Sequence, residues 1–231
     1  MNRLSDTSNC LNCKHIEICK MESLIDKTSM ESIHTTRVNY LRGETLCKEG
    51  GFSSCVKYIL DGYVKVFVEG PDKKNIIVKI QKGGDFLGMS AVCGDATYFY
   101  SASAITDTLV CSIDRDSIVE LLVANGDFAL ELTKWYCESY GKMFKKLKTI
   151  GFKNLHGRMA DAILYLDREE YKAGNIYKYL SRTDLAELAG MPMESAVRVL
   201  SEFSESSIIN ISGKDIIILD HNLLNKISRG G

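Results

Sequence analysis

The sequence predicts an α+β chain in three successive parts: a small antiparallel β-roll, one long helix, and a C-terminal winged helix-turn-helix. Three observations predict it. From about Arg37 to Asp114, short β-rich runs alternate with Gly-containing turns at regular spacing. From Asp127 to Ile150, apolar residues recur every three or four positions. From Ser181 to Phe203, a capped helix, a Gly turn and a second helix follow one another, and two short β-runs come next.

The roll is read from its turns. Val56–Leu60 and Tyr63–Val68 flank Asp61-Gly62, a hairpin signal. Gly70-Pro71-Asp72 and Gly83-Gly84-Asp85 break the chain around Ile76–Ile80. Ser101–Ile105 and Thr108–Ile113 close the set. Such a succession suggests a small barrel or jelly roll, a shape that often encloses a ligand.

Asp116–Ala124 reads as a short amphipathic helix, and the longer Asp127–Ile150 follows. Its stripe of Leu132, Tyr136, Tyr140, Met143, Leu147 and Ile150 suits packing against a partner helix, or against the helix's own domain. Gly141–Arg158 holds six basic residues and no acidic one, a run that alone reads equally as a solvated face. Gly151–Asn154 is the expected hinge, and Leu155–Glu170 an amphipathic helix beyond it.

Ser181-Arg-Thr-Asp184 resembles a capping box with Asp in the place of Glu or Gln. Gly190 makes the turn, and Pro192 suits the start of the next helix. The small Ala186 and Ala196 sit where two steeply crossing helices approach closely. Ser207–Ile211 and Asp215–Leu219, joined through Gly213, form the wing. The pattern is that of a DNA-binding unit whose second helix enters the major groove, although a winged helix also serves as a protein-docking module. Glu194 and Arg198, four apart, share a face. Arg198 suits guanine O6 and N7 and Glu194 suits cytosine N4; an ordinary surface ion pair between them is the alternative. Ser195 and Thr183 are candidates for phosphate contacts.

Composition bounds the class. The chain has 231 residues, 29 basic against 30 acidic, 45% hydrophobic, with only 2 Pro. That excludes low-complexity and polycationic chains but not a dimer that reads a short site. No run approaches a membrane span, and Met1–Asn9 is polar, so a soluble protein of the cytoplasm is expected.

Eight cysteines without an export signal point to a reducing compartment. Cys10, Cys13 and Cys19 form a C-x2-C-x5-C trio; Cys47, Cys55, Cys93, Cys111 and Cys137 are scattered. Cys10 and Cys13 can bite one metal centre and Cys19 can close a face of it, while a fourth ligand must come from elsewhere. Iron–sulfur and structural zinc sites both favour four thiolates, and a thiol–disulfide switch would use the same cysteines. His15 is available as a substitute ligand. The four histidines, His15, His34, His156 and His221, lie in no recognised catalytic motif, so no enzyme is expected.

A cysteine-bearing arm (1–30), a β-roll (31–126), a long helix with its hinge (127–152) and a winged helix-turn-helix (153–231) together resemble the cAMP receptor protein/FNR superfamily of transcription regulators. The roll then corresponds to a cyclic-nucleotide-binding-like jelly roll. The arm resembles the FNR branch, whose C-x2-C-x5-C cysteines and one cysteine of a late strand hold an oxygen-sensing [4Fe–4S] cluster. The matching residues are Cys10, Cys13, Cys19 and Cys111; Cys47, Cys55, Cys93 and Cys137 would then be non-ligand thiols with packing roles. The resemblance further implies a homodimer paired through the long helix, a palindromic double-stranded DNA site, contact with RNA polymerase as an activator, and a signal of oxygen, redox state or nitric oxide. Control by zinc, by thiol chemistry or by a small-molecule effector is the alternative.

Arg182–Arg198 matches the family's segment without gaps, with Glu194 and Arg198 in the base-reading places. Val197 departs from the family's Ser or Gly; it can touch a thymine methyl but cannot donate a hydrogen bond. Met193 replaces the guanine-reading Arg of cAMP receptor proteins. The nucleotide-binding Gly-Glu-x-x-x-Leu stretch corresponds here to Phe86–Val92, without the Glu, and Leu87–Leu109 contains no Arg or Lys. A buried phosphate would lack its cationic partner, which argues against a cyclic nucleotide.

Overall fold

The computed structural model describes Ile25, Ile33, residues 35–94 and residues 96–231; Cys10, Cys13 and Cys19 lie outside the described residues. Eight strands build the roll: β1 (Thr35–Tyr40), β2 (Thr45–Cys47), β3 (Cys55–Asp61), β4 (Tyr63–Val68), β5 (Ile76–Lys82), β6 (Phe86–Leu87), β7 (Ser101–Ala104) and β8 (Thr108–Asp114). They form two four-stranded sheets, ordered β1-β8-β3-β6 and β2-β7-β4-β5. The expected hairpin joins β3 to β4 at Gly62, whose φ of 97° suits glycine.

The period-2 alternation decides which side chains go where. Ile59 of β3 points into the roll with Leu46, Val64, Val66, Leu87, Ala102 and Val110. Val56, Tyr58 and Leu60 point to the outer face, against the helices α2 (Arg115–Ala124) and α3 (Gly126–Phe152). Ile118, Leu121, Phe128 and Leu132 fill that second core, and Phe86 lies between Tyr58 and Trp135, tilted on the first at 4.9 Å and edge-on to the second at 5.9 Å. Full burial of one such side chain contributes about 1.5–3 kcal/mol. A single helical turn, α1 (Ser90–Cys93), was not expected from the sequence.

The chain divides into two compact units. One comprises the chain to Val68 together with Ile80–Tyr140; the other comprises Glu69–Lys79 with Gly141–Gly231. The second unit contains α4 (Leu155–Leu166), α5 (Glu169–Lys172), α6 (Arg182–Ala189), α7 (Met193–Glu205), β9 (Ile209–Ser212), β10 (Asp215–Ile218) and α8 (His221–Gly230). Met159, Ile163, Leu185, Val199, Leu200, Phe203 and Leu224 are its core.

Three boundaries differ from expectation. The hinge shrinks to Lys153 and Asn154, because α3 continues through Gly151 and Phe152 and the Asn154 side chain caps α4 by accepting the Gly157 N–H. The helix expected to reach Glu170 stops at Leu166, and extended Arg168 starts the short α5. Helix α8 was missed; Asp220, accepting the Leu223 N–H at 2.8 Å, is the cap that could have announced it.

Candidate nucleic-acid interface

The helix-turn-helix is assembled from local rules. Ser181 accepts the Asp184 N–H at 3.0 Å while Asp184 Oδ2 accepts the Ser181 N–H at 2.8 Å, so the capping box is complete. Gly190 ends α6 in the left-handed region, at φ 65° and ψ 45°. A Cβ there would also lie 3.1 Å from Ile150 Cγ1. Pro192 is the N-cap of α7.

Two cations clamp this turn. Lys146 Nζ donates to the Leu188 carbonyl, and Arg158 Nη1 donates to the Gly190 carbonyl at 3.1 Å. Both carbonyls belong to the end of α6, where unpartnered acceptors accumulate. Burial lowers the Lys146 ammonium to about 8, with the Asp161 charge opposing the shift. A network holds the end of α3 beside it: Asp161 accepts from Thr149 at 2.7 Å and from Lys153 at 2.8 Å, and Lys153 also donates to the Ser228 carbonyl at 2.5 Å.

On α7, Ala196, Val199, Leu200 and Phe203 are buried, which turns Met193, Glu194, Val197 and Arg198 to solvent. Ser195 is half-buried at the edge of that face, and Thr183 is exposed on α6 with its hydroxyl 3.5 Å from Met193 Sδ. The alternative of a Glu194–Arg198 ion pair is not the contact Arg198 makes. Arg198 Nε instead approaches Glu202 at 3.8 Å, and Glu202 is held by His156 Nε2 at 2.6 Å. An exposed pair at that distance contributes little, so Arg198 can leave it at small cost.

The stripe expected on the long helix divides. Leu132 is 7% exposed, inside the core with Phe128, and Ile150 lies against Gly190. Tyr136, Tyr140, Met143 and Leu147 remain exposed. Leu130 and Phe144 are exposed with them and were missed. Their signal is the alternating spacing Leu130, Cys137, Tyr140, Phe144, Leu147, which is the seven-residue repeat of a coiled-coil seam. Cys137, expected to pack, is exposed on this seam.

Cys111 lies on β8 directly opposite Arg37 of β1 and Tyr58 of β3. Half-buried, it packs on the outer face of the sheet against the core that contains Ile25 and Ile33. Arg37 is buried beside it in the same cross-strand row. Ile25 follows Cys19 by six residues, a chain length that spans at most about 20 Å. Among the described residues no group of three or more His, Cys, Asp or Glu is placed to hold a metal, and three of the four expected ligands fall outside them.

Within the roll, Tyr100 Oη accepts the Gly88 N–H at 2.9 Å, and Met89 is buried at the position expected to carry a Glu in a nucleotide site. Lys57 Nζ donates to Tyr98 Oη at 2.9 Å and lies 3.6 Å from Cys55 Sγ. Burial pushes the Cys47 thiol up to about 12, against the pull of the Lys57 charge.

A β-roll, a long helix with an open apolar seam and a winged helix-turn-helix with an exposed polar face on its second helix define a DNA-binding transcription regulator. Residues 37–125 match the family described as "Cyclic nucleotide-binding domain", and residues 157–227 match "Crp-like helix-turn-helix domain". The "CRP-like cAMP-activated global transcriptional regulator" of Mycobacterium tuberculosis is 24% identical over 83% of this chain and 88% of its own length. The "Fumarate and nitrate reduction regulatory protein" of Vibrio cholerae is 22% identical over 95% of this chain and 90% of its own. In fold the chain is similar to FixK2 of Bradyrhizobium japonicum, with a TM-score of 0.72, 21% identity, and coverage of 84% of this chain and 96% of that one. The chain belongs to the CRP/FNR family of DNA-binding transcription regulators. Among the described residues no helix is long and apolar enough to cross a membrane.

Proposed function

We propose that this regulator is an oxygen- or redox-responsive homodimer of the FNR type, acting in the cytoplasm on palindromic DNA. Cys10, Cys13, Cys19 and Cys111 are its metal ligands, and the group they fit is a [4Fe–4S] cluster. The observation that carries the reading is the position of Cys111: it faces the sheet surface on which Ile25, near the end of the arm, and Ile33, just beyond it, are buried. Four thiolates, three of them within ten residues, match the donor set that an iron–sulfur centre favours. The similarity over 95% of this chain to the "Fumarate and nitrate reduction regulatory protein" of Vibrio cholerae supports the same reading.

When bound, such a cluster supplies a centre that oxygen or nitric oxide can oxidise or dismantle. The chain's own part is mechanical. Ligation from the arm to Cys111 fastens the arm over the core that Phe128 and Leu132 of α3 share. That biases the exposed seam of α3 toward its twin, and two recognition helices then stand about one DNA turn apart. No cyclic nucleotide enters this scheme: the Gly88 amide is engaged by Tyr100, and Leu87–Leu109 offers no cation to a phosphate. RNA polymerase is the proposed downstream partner, with activation as the output, and no catalytic step is involved.

The test is iron and acid-labile sulfide content of protein purified without air, paired with gel shifts before and after exposure to air. About four irons per chain and DNA binding lost in air are expected, the fourfold count following from the cluster type. Equal DNA affinity with and without iron would overturn the sensing claim.

A further inference from the structure

We infer that Cys55 is a peroxide-reactive thiol, oxidised to a sulfenic acid with assistance from the Lys57 ammonium. The inference rests neither on the cluster nor on DNA binding, and it gives Cys55 a role beyond packing.

The pair follows from strand geometry. Cys55 and Lys57 are alternate residues of β3, so both share with Ile59 the face turned into the roll. Lys57 stands directly opposite Leu87 of β6 and Ser112 of β8. An ammonium in such a place needs acceptors. It donates to Tyr98 Oη at 2.9 Å and to Cys55 Sγ at 3.6 Å. Tyr98 is itself fixed: it is buried, it donates its N–H to the Gly51 carbonyl, and its own carbonyl accepts the Gly50 N–H. Burial opposes the Lys57 charge, but Tyr98 and Cys55 outweigh it and hold the ammonium above its ordinary range. The lysine is thus a lasting cation beside a sulfur.

Two thiols of the roll feel that cation, and burial separates them. Cys47 is buried and its thiol is pushed up to about 12, so it stays protonated and shielded. Cys55 is only half-buried, at the first position of β3, where a small solute reaches it. Cysteine reacts as the thiolate, the form that a neighbouring ammonium stabilises.

The step balances with hydrogen peroxide as the oxidant. Cys55 Sγ, its proton released to solvent, attacks one peroxide oxygen. The S–O bond forms as the O–O bond breaks, and the departing hydroxide takes up a proton to leave as water. Cys–SH and H2O2 therefore give Cys–SOH and H2O, with sulfur oxidised and peroxide reduced. An ammonium has three N–H donors, of which Tyr98 and Cys55 take two. The remaining one can donate to the departing oxygen, where negative charge develops.

The experiment reads the two thiols side by side. Full-length protein purified without air is treated briefly with hydrogen peroxide in the presence of dimedone, which traps sulfenic acids, and then digested with trypsin. Cys47 and Cys55 fall in adjacent peptides, Gly43–Lys48 and Glu49–Lys57, each with a single cysteine. The adduct should form on Cys55 and not on Cys47, equally before and after removal of iron by chelation. In urea the two should label alike. Lys57→Met, read in the longer peptide that then ends at Lys65, should slow labelling of Cys55 about tenfold, the loss of one hydrogen bond from a cation. Lys57→Arg should recover most of the rate, which a merely structural lysine would not explain. Equal labelling of Cys47 and Cys55 in the folded protein, no adduct on Cys55, or labelling that requires iron overturns the inference. An unchanged rate in Lys57→Met removes the ammonium from it and overturns it equally.

Discussion

The second unit draws its candidate site from neighbours in sequence, whereas the site proposed for the first would draw on residues some ninety positions apart. Ser181 to Arg198 is one continuous stretch, and each of its features has a local cause: a capping box, a left-handed glycine, a proline N-cap. Cys111 acquires meaning only because β8 pairs between β1 and β3 and so turns its thiol to the face where Ile25 and Ile33 are buried. A site built locally tolerates loss of one side chain with graded effects. A site closed by one distant residue should fail as a whole.

Cys111→Ser is therefore expected to have the largest effect. Iron content and visible absorbance of protein purified without air should both be lost, while the melting of the second unit should stay unchanged. Retained iron would mean that the sheet does not close the site. Next comes the seam of α3. Phe144→Lys should dissociate the dimer in sedimentation at micromolar concentration, because it puts a charge into a repeat position that the proposed dimer covers, whereas Val123→Lys, away from the seam, should not. Arg198→Ala should weaken specific DNA binding by roughly five- to hundredfold, the 1–3 kcal/mol of a bidentate guanine contact, with dimerisation intact. Gly190→Ala should lower stability by about 1–2 kcal/mol, for the left-handed backbone it must adopt. Thermal melting measures that cost, to which the 3.1 Å approach of the added methyl to Ile150 Cγ1 adds.

Much of this contrast was legible before any fold was built. The turn at Gly62, the capping box at Ser181 and Asp184 and the turn at Gly190 depend on residues within four positions, so the sequence states them directly. The stripe of the long helix did not reveal its own division. Leu132 and Ile150 fit the apolar period as well as Leu130 and Phe144 do, and periodicity alone does not say which side the protomer covers. Trp135 and Phe128 settle it by packing on the roll, leaving the opposite line of the helix open. The Glu202 contact of Arg198 was not legible for a similar reason: Glu194 and Glu202 lie equally one turn away, and His156, forty-six residues from Glu202, holds the latter in place. The clamp on the turn was not legible at all, since Lys146 read as one more member of a basic run.

That lysine offers the finest test of how tightly the local site is held. Its ammonium sits at about 8 when folded, against an ordinary 10.5, because burial disfavours the charge. Between those two pH values the unfolded chain binds more protons than the folded one, so this residue makes stability rise as pH rises through the interval. Below pH 8 both states are protonated and the contribution is flat. Tyr171 and Tyr177, raised by burial, push the other way above about pH 10, where their unfolded forms ionise first. The informative quantity is therefore the difference between the unaltered protein and Lys146→Met in chemical denaturation at pH 7.5, 8.5 and 9.5. The unaltered protein should gain on the variant across that series. A constant difference would mean that the amine is not buried against the Leu188 carbonyl, and that the turn is held by Arg158 alone.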